Sequence, residues 1–307
     1  TPKPSSAASD VYKRQFVCSQ GELREVSACT AVSIDKHETD SSKEIRLMCM
    51  SQLFFATSAR SAVGLVRSGN EDSAFTSRNV IAVADGMGGH AAGEVASKIA
   101  ISTLADLSQV ITSPEIDSES SDDIYLNSFH TIDQELKAAV QESPELSGMG
   151  TTLTSLFLRN NEVALLHIGD SRAYRLRGNS LDQLSVDHTV IQELLNQGAI
   201  SQADVATHPQ RSVLTQVLMG EGNLDLPLPV FEGKVKDRYL VCSDGLSSVL
   251  SEKEIKSLIK GKDRDEAVGA LIDATYINGA PDNVTVVIAD LVEEVQPDNI
   301  EKIGAAQ

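Results

Sequence analysis

Two apolar segments of this 307-residue chain end in the same Asp-Gly pair. The first, residues 79–86, reads NVIAVADG, and the second, residues 238–245, reads RYLVCSDG. A short β-branched run that stops at Asp-Gly predicts a buried strand followed by a tight turn. Each strand therefore brings one carboxylate, Asp85 or Asp244, to an end of a sheet. The glycine that follows allows other atoms to approach the backbone closely.

The rest of the chain mixes strand patterns with helix patterns. Residues 93–107 and 124–142 carry apolar side chains at helical spacing, and capping sequences at Ser251 and Asp263 predict two further helices. Three short β-rich runs between residues 151 and 179 are separated by Asn, Gly and Asp turns, which indicates antiparallel pairing. The inventory predicts an α+β sandwich.

Two polar regions are predicted to contain turns or loops. Residues 61–72, SAVGLVRSGNED, are expected to form a short strand that runs into a turn. Residues 113–123, SPEIDSESSDD, are expected to form a loop because they lack an apolar period.

The charge balance narrows the classes of partner. The chain has 26 Lys and Arg against 44 Asp and Glu, a net charge of -18, whereas nucleic acids and anionic membranes require a basic surface. Solubility is the simplest reason for the excess, and cation binding is a second. The four cysteines lack zinc-site spacing, and no apolar run reaches the ~18 residues of a membrane span, so a cytoplasmic protein is expected. A membrane anchor in a part of the protein outside this sequence is kept as an alternative.

Further acidic residues occupy positions comparable to those of the two Asp-Gly pairs. Asp170 lies in HIGDSR and Asp282 in GAPDNVT, while Glu71 and Asp72 follow the first predicted strand. Clustered buried carboxylates repel one another unless a cation neutralises them. Oxygen ligands alone favour Mg²⁺ or Mn²⁺, and several shared carboxylates are typical of two-metal sites that direct water at a phosphorus centre.

Arg67 stands four residues before Glu71, close to the predicted metal site. A guanidinium matches phosphate oxygens in a bidentate manner, which predicts phosphate binding here. The alternative for Arg67 is a surface salt bridge of little energetic value.

A dinucleotide-binding loop is a competing interpretation of residues 86–91. Their sequence GMGGHA fits the pattern G-x-G-x-x-A after a strand, and Asp106 follows about twenty residues later. Against this interpretation, Asp85 would face the pyrophosphate, and the later strands lack alternating β-α crossovers.

Seven motifs in order resemble those of the metal-dependent protein phosphatases, known as the PPM or protein phosphatase 2C family. They are VRSGNED, VADGMGGHAAGE, GMGTTLT, HIGDSRAY, HPQRS, CSDGLS and PDNVTVV. The details are most similar to the bacterial branch, in particular to actinobacterial phosphatases that oppose PASTA-type Ser/Thr kinases. The resemblance implies a four-layer α-β-β-α sandwich of two mainly antiparallel sheets flanked by helix pairs. The catalytic domain would span residues 57–293, between a disordered or artefactual extension at 1–56 and a tail at 294–307.

The resemblance also implies roles for single residues. Asp85 would bridge two Mn²⁺ or Mg²⁺ ions, Asp244 and Asp282 would bind the first ion, and the Gly86 carbonyl would bind the second. Asp170 would join Asp244 at a third, weaker site, where Ser212 of a flap would add a backbone oxygen. The remaining assignments are Asp72 as a metal ligand or holder of a metal-bound water, Glu71 and Asn283 as supports for the ligands, and Arg67 as the phosphate-binding residue.

The implied reaction is hydrolysis of phosphoserine and phosphothreonine in proteins by a water that bridges two ions. Met87 replaces the histidine of eukaryotic members, so a general acid is absent at that position. Expected partners are phosphorylated proteins, Ser/Thr kinases among them, and a monomer is expected. The alternatives are a partner-switching phosphatase of stress signalling and a non-catalytic phosphoprotein-binding regulator of the same fold.

Overall fold

The computed structural model describes residues 52–89, 92–113, 115–201, 204–205, 208–222, 226–297 and 300–307. The strands are β1 Phe54–Ala62, β2 Asp72–Thr76, β3 Val80–Met87, β4 Gly150–Thr151, β5 Leu153–Arg159, β6 Glu162–Ile168, β7 Arg172–Arg177, β8 Ser180–Gln183, β9 Val230–Glu232, β10 Arg238–Cys242, β11 Val284–Val292 and β12 Glu301–Gly304. The helices are α1 Ala92–Ile111, α2 Ser118–Glu142, α3 Val190–Asn196, α4 Asp244–Ser247, α5 Glu252–Ile259 and α6 Arg264–Ile277.

These strands form two antiparallel sheets. One has five strands in the order β1-β11-β10-β7-β8. The other has seven strands, in the order β12-β2-β3-β5-β6-β9 with β4 paired to β3. Because β3 runs antiparallel to β2, β4 and β5, the parallel β-α-β unit of a dinucleotide-binding loop is absent around the described part of that motif. Residues 90 and 91 of the motif lie outside the described residues.

Three apolar clusters separate four layers. Strand β3 shows the arrangement, since Val80, Ala82 and Ala84 face α1 and α2, whereas Ile81 and Val83 face the other sheet. A third cluster packs α5 and α6 against β10 and β11. Burial on both faces explains why β3 is apolar along its length. The predicted α+β fold of two antiparallel sheets with helices is confirmed.

The ends of the folded domain differ from the predicted boundaries. Strand β1 begins at Phe54, before residue 57, and pairs with β11 as far as Ala62. Within the segment expected to be a tail, β12 pairs with β2 and buries Ile303. Both segments gain order from pairing with strands distant in sequence, which local composition does not reveal. Most of the predicted extension, residues 1–51, lies outside the described residues.

Two local predictions require correction. The strand expected within residues 61–72 lies mainly before them, and residues 63–71 form a loop between β1 and β2. The loop expected at 113–123 contains the first turns of α2, which begins after Asp117; this side chain accepts a hydrogen bond from the Ser120 N–H. In the part of the chain that the structure describes, no helix combines the length and the apolar character needed to cross a bilayer.

Candidate active site

Asp72 and Asp85 lie directly opposite each other on the neighbouring strands β2 and β3. Asp244 begins α4 immediately after β10, and Asp282 precedes β11. The two Asp-Gly pairs therefore meet where both sheets end. The tight turns predicted at these pairs are wrong, because Asp85 and Gly86 remain within β3 and Asp244 begins the short helix α4.

Asp72 is almost completely buried, with 1% of its surface exposed. Its Oδ2 atom accepts a hydrogen bond from the Ser243 hydroxyl at 2.7 Å, whereas Oδ1 is buried and has no hydrogen-bond partner among the described residues. Burial raises the pKa of Asp72 to about 7, and the charges of Asp244 and Asp282 act in the same direction. Ser243 was not predicted as a site residue, although it stands beside Asp244 in the CSDG motif.

Asp85 is fixed through its backbone by two threonines. Its N–H donates to Thr152 Oγ1 at 3.0 Å, and its carbonyl accepts from the Thr152 N–H at 2.9 Å and from the Thr151 hydroxyl at 3.0 Å. Burial raises the pKa of Asp85 well above its usual value, and the neighbouring carboxylates raise it further. Neither threonine was predicted from the sequence as part of the site.

Asp170 and Asp244 share this electrostatic environment. Burial raises the pKa of Asp170 to about 7, with a second contribution from the charge of Asp244. Burial also raises the pKa of Asp244, followed by the charge of Asp282, while a hydrogen bond with Asp85 opposes the rise. The structure therefore brings the five predicted aspartates into one mutually repelling cluster: Asp72, Asp85, Asp170, Asp244 and Asp282.

The cluster fits hard divalent cations in its donor chemistry. All donors are oxygens, and the unpartnered, buried Asp72 Oδ1 is an atom that an ion or its water would satisfy. Among the described residues, no three acidic, histidine or cysteine side chains converge tightly enough to enclose an ion alone. Backbone carbonyls and water would have to complete the coordination, as they commonly do for Mg²⁺.

Arg67 and Asp282 form an ion pair at the edge of this cluster. Arg67 Nη2 lies 2.8 Å from Asp282 Oδ2, and 49% of the arginine side chain is exposed. This hydrogen bond raises the pKa of Arg67, while burial opposes the rise. A half-exposed guanidinium beside the carboxylates is accessible to an anionic ligand.

Asn283 connects the start of β11 to the loop that carries Arg67. Its Oδ1 accepts from the Glu71 N–H, and its Nδ2 donates to the carbonyls of Val63 and Gly69, all at 2.8 Å. Its own N–H donates to Asp282 Oδ1 at 2.8 Å. The Glu71 carboxyl lies nearby, and burial raises its pKa.

Gly86 lies where β3 meets the beginning of α1. Its N–H donates to the Glu71 carbonyl at 3.1 Å, and a Cβ atom added to it would come within 2.0 Å of the Gly93 carbonyl oxygen. Only glycine allows this approach. A Cβ on Gly93 would in turn crowd both the Gly86 carbonyl and the Glu71 carboxyl group, a constraint that was not predicted from the motifs.

The segment around Ser212 is less closely connected to the cluster. Ser212 is exposed in a turn and makes no hydrogen bond with the carboxylates among the residues described.

The chain that follows Ser212 is held by α2. Asp133 of this helix accepts hydrogen bonds from the N–H groups of Gly220 and Gly222, each at 2.7 Å. Asp133 was not predicted as an anchor for this segment.

A family model described as protein phosphatase 2C matches residues 68–262. The chain belongs to the protein phosphatase 2C family. The Ser/Thr protein phosphatase PstP of Mycobacterium tuberculosis is 41% identical over 238 residues, which cover 76% of this chain and 45% of PstP. The chain therefore spans about half the length of that relative.

Other members of the family support the same alignment. The Ser/Thr phosphatase stp of Listeria welshimeri is 33% identical over 237 residues, covering 74% of this chain and 92% of that protein. A crystal structure of the PstP catalytic domain in complex with two manganese ions superposes with a TM-score of 0.71 at 38% identity, covering 78% of this chain and 100% of that one. This protein phosphatase 2C chain thus shares both fold and sequence with a domain that was crystallised with two ions.

Proposed function

We propose that this chain is a Mn²⁺- or Mg²⁺-dependent phosphatase that hydrolyses phosphoserine and phosphothreonine in proteins. The observation that carries the proposal is the facing pair Asp72 and Asp85, where the free, buried oxygen of Asp72 and the raised pKa values of both call for cations, beside the accessible Arg67 guanidinium. Membership of the protein phosphatase 2C family supports this proposal, as does the PstP domain with two manganese ions.

The proposed ligands are those implied by the motifs. Asp85 would contact two ions, Asp244 and Asp282 would hold the first, and the Gly86 carbonyl would hold the second. Asp170 and Asp244 would form a third, weaker site with a backbone oxygen of Ser212, which requires the exposed turn of Ser212 to approach. Asp72 would serve as a ligand or hold a water, with Glu71 and Asn283 as supports.

The chemistry of hydrolysis would be divided between the ions and three side chains, those of Arg67, Asp72 and Asn283. Bound divalent ions would lower the pKa of water and neutralise charge on the phosphoryl oxygens. Arg67 would bind the phosphate through paired N–H groups and orient it toward the cluster. Asp72 Oδ1, which has a free lone pair, would orient a water by accepting its hydrogen. Asn283 would keep Arg67 in place through the loop hydrogen bonds described above.

The proposed substrates are phosphorylated proteins, including Ser/Thr kinases of the PASTA type. We further propose that the catalytic domain acts as a monomer in the cytoplasm. A panel of phosphorylated kinase loops and phosphorylated anti-sigma antagonists would identify which class is hydrolysed faster.

The test is Mn²⁺-dependent hydrolysis of p-nitrophenyl phosphate by Asp85→Asn. The substitution removes one negative charge at the centre of the cluster, and we expect a loss of at least about 100-fold in kcat/KM, in the range set by losing one key electrostatic group. Asp273→Asn, at an exposed position of α6, is the matched control and should keep wild-type activity. Full activity of Asp85→Asn would overturn the metal assignment.

A further inference from the structure

The loop that carries Arg67 also exposes three aliphatic side chains. Val63, Leu65 and Val66 are 37%, 63% and 72% exposed, and Ile277 at the end of α6 is 84% exposed. We call these four residues the apolar rim. Leu65 and Val66 directly precede Arg67 in sequence, so the rim continues from the proposed phosphate site without an intervening polar residue.

Two hydrogen bonds hold the loop of the rim against the end of α6. The Gly64 N–H donates to the Tyr276 hydroxyl at 3.0 Å, and the Leu65 N–H donates to the Ala280 carbonyl at 2.8 Å. Gly64 has a φ of +81°, and a Cβ on it would lie 2.2 Å from the Asp282 carbonyl oxygen. The backbone below the rim is therefore fixed, which reduces the entropy lost when a ligand binds.

Exposed aliphatic side chains that adjoin one another, as those of Leu65 and Val66 do in sequence, commonly mark interaction sites. Arg67, the cation beside the rim, is already paired with Asp282, and the neighbouring Glu71 is acidic, as is the net charge of -18 for the chain. An acidic peptide segment would be repelled there, whereas an aliphatic side chain would bury apolar surface. The chemistry of the rim thus matches an uncharged, aliphatic side chain.

The spacing along the loop indicates which position of a bound phosphopeptide would carry the aliphatic side chain. Leu65 and Val66 lie two residues and one residue before Arg67, and a chain spans at most about 3.6 Å per residue, so their backbones lie within about 7 Å of the backbone of the phosphate-binding residue. A peptide whose phosphate contacts Arg67 would place its next one or two residues over this distance.

We propose that the apolar rim binds an aliphatic side chain one or two residues from the phosphorylated serine or threonine of a protein substrate. This inference rests on the phosphatase function proposed above. It makes Leu65 and Val66 specificity-determining residues, because they would select among phosphorylated sequences.

The test compares two phosphothreonine peptides that differ only in the residues flanking the phosphorylated position, leucine in one and glycine in the other. We expect the wild-type enzyme to show about a 10-fold higher kcat/KM for the leucine peptide, the size of effect produced by burying one or two methylene groups. The double variant Leu65→Asn, Val66→Thr keeps similar side-chain volumes at exposed positions and should reduce this ratio to about 1. Val110→Thr, an exposed valine of α1, is the control and should keep the wild-type ratio.

A wild-type ratio near 1, or an unchanged ratio in the double variant, would overturn the inference while leaving the phosphatase function intact. Hydrolysis of p-nitrophenyl phosphate, which lacks flanking residues, separates the two questions. If the wild-type protein with Mn²⁺ hydrolysed neither peptide nor this small substrate, the phosphatase proposal itself would fall and the inference with it.

Discussion

Arg67 Nη2 and Asp282 Oδ2 are 2.8 Å apart, so one carboxylate stands between the proposed phosphate-binding residue and the proposed metal site. A carboxylate oxygen that accepts from a guanidinium has less charge to offer an ion. The ion pair would therefore couple the two halves of the proposed site, and phosphate binding at Arg67 would release Asp282 toward the cations.

Arg67→Ala should raise the KM for a phosphopeptide about 10-fold, the value of a charge-assisted hydrogen bond, with a smaller change in kcat. It should also lower the Mn²⁺ concentration that gives half-maximal activity, because Mn²⁺ no longer competes with the Arg67 guanidinium for the Asp282 carboxylate. Steady-state kinetics with Mn²⁺ titration measure both effects. Arg264→Ala is the control, since Arg264 is 37% exposed and pairs with Asp290, which lies in β11 near the end of the strand opposite to Asp282. An unchanged KM would remove the phosphate role.

Metal-free protein should become less stable as the pH rises from 6.5 to 8. Burial raises the pKa of Asp72 to about 7 in the folded state, so its proton stabilises the fold at low pH and is lost as the pH passes through 7. The expected loss is about 1 kcal/mol from this group, or a few degrees in Tm. Burial lowers the pKa of His167 to about 4, so this histidine is neutral throughout the interval.

Thermal unfolding in EDTA and in Mn²⁺ measures the effect. Mn²⁺ should raise the Tm more at pH 8 than at pH 6.5, because it replaces the lost proton as the neutralising charge. Asp72→Asn retains an acceptor for the Ser243 hydroxyl and should reduce the pH dependence in EDTA by the contribution of this one group, because Asp170, whose pKa burial also raises to about 7, keeps its own. The same slope in wild type and variant would contradict a raised pKa at Asp72.

Asn283→Ala should reduce the free energy of unfolding by about 2–4 kcal/mol. Three side-chain hydrogen bonds are lost at a residue that is only 4% exposed, and the carbonyls of Val63 and Gly69 lose their donor. Urea denaturation provides the measurement. Asn278→Ala, which removes one exposed hydrogen bond to the Ala274 carbonyl, should cost less than about 1 kcal/mol. Equal costs for the two variants would contradict the bridging role of Asn283.

Asp133→Asn should loosen the segment of residues 208–222. Each oxygen of the buried carboxylate accepts one N–H, from Gly220 or Gly222, and an amide can accept only one of these. Hydrogen exchange at these two glycines should accelerate in the variant, while exchange in β3 should not change. Asp123→Asn, at an exposed position of the same helix, should leave exchange at both glycines unaltered.

The sequence was most informative where apolar runs met Asp-Gly. Both runs form buried strands, and both aspartates enter the cluster. A carboxylate at the end of a buried strand is placed at the end of the sheet by the strand itself. The contributions of Ser243 and Thr152 were not predictable in this way. Their hydroxyl groups act on residues 171 and 67 positions away in the chain, so only the tertiary fold reveals them.

The boundaries of the fold were missed for a similar reason. Strand β12 has only four residues, Glu301–Gly304, and its sequence EKIG carries no clear strand period. Its conformation depends on β2, which supplies the hydrogen bonds.

The start of α2 was also not predicted. Its first turns are rich in Ser and Asp, residues of low helix propensity, and are stabilised by the Asp117 cap and by packing against α1.

Strand β12 also determines which strand lies at this edge of its sheet and is exposed to solvent. By pairing with β2, and through the Ala305 N–H that donates to the Asp72 carbonyl at 2.8 Å, it leaves the strand that begins with Asp72 without a free edge. Loss of residues 300–307 would uncover a row of unpaired amide groups on that strand, a template on which a second polypeptide could add. This four-residue strand, which itself forms the edge of the sheet, therefore covers the longer strand β2 at the point where the carboxylates are concentrated.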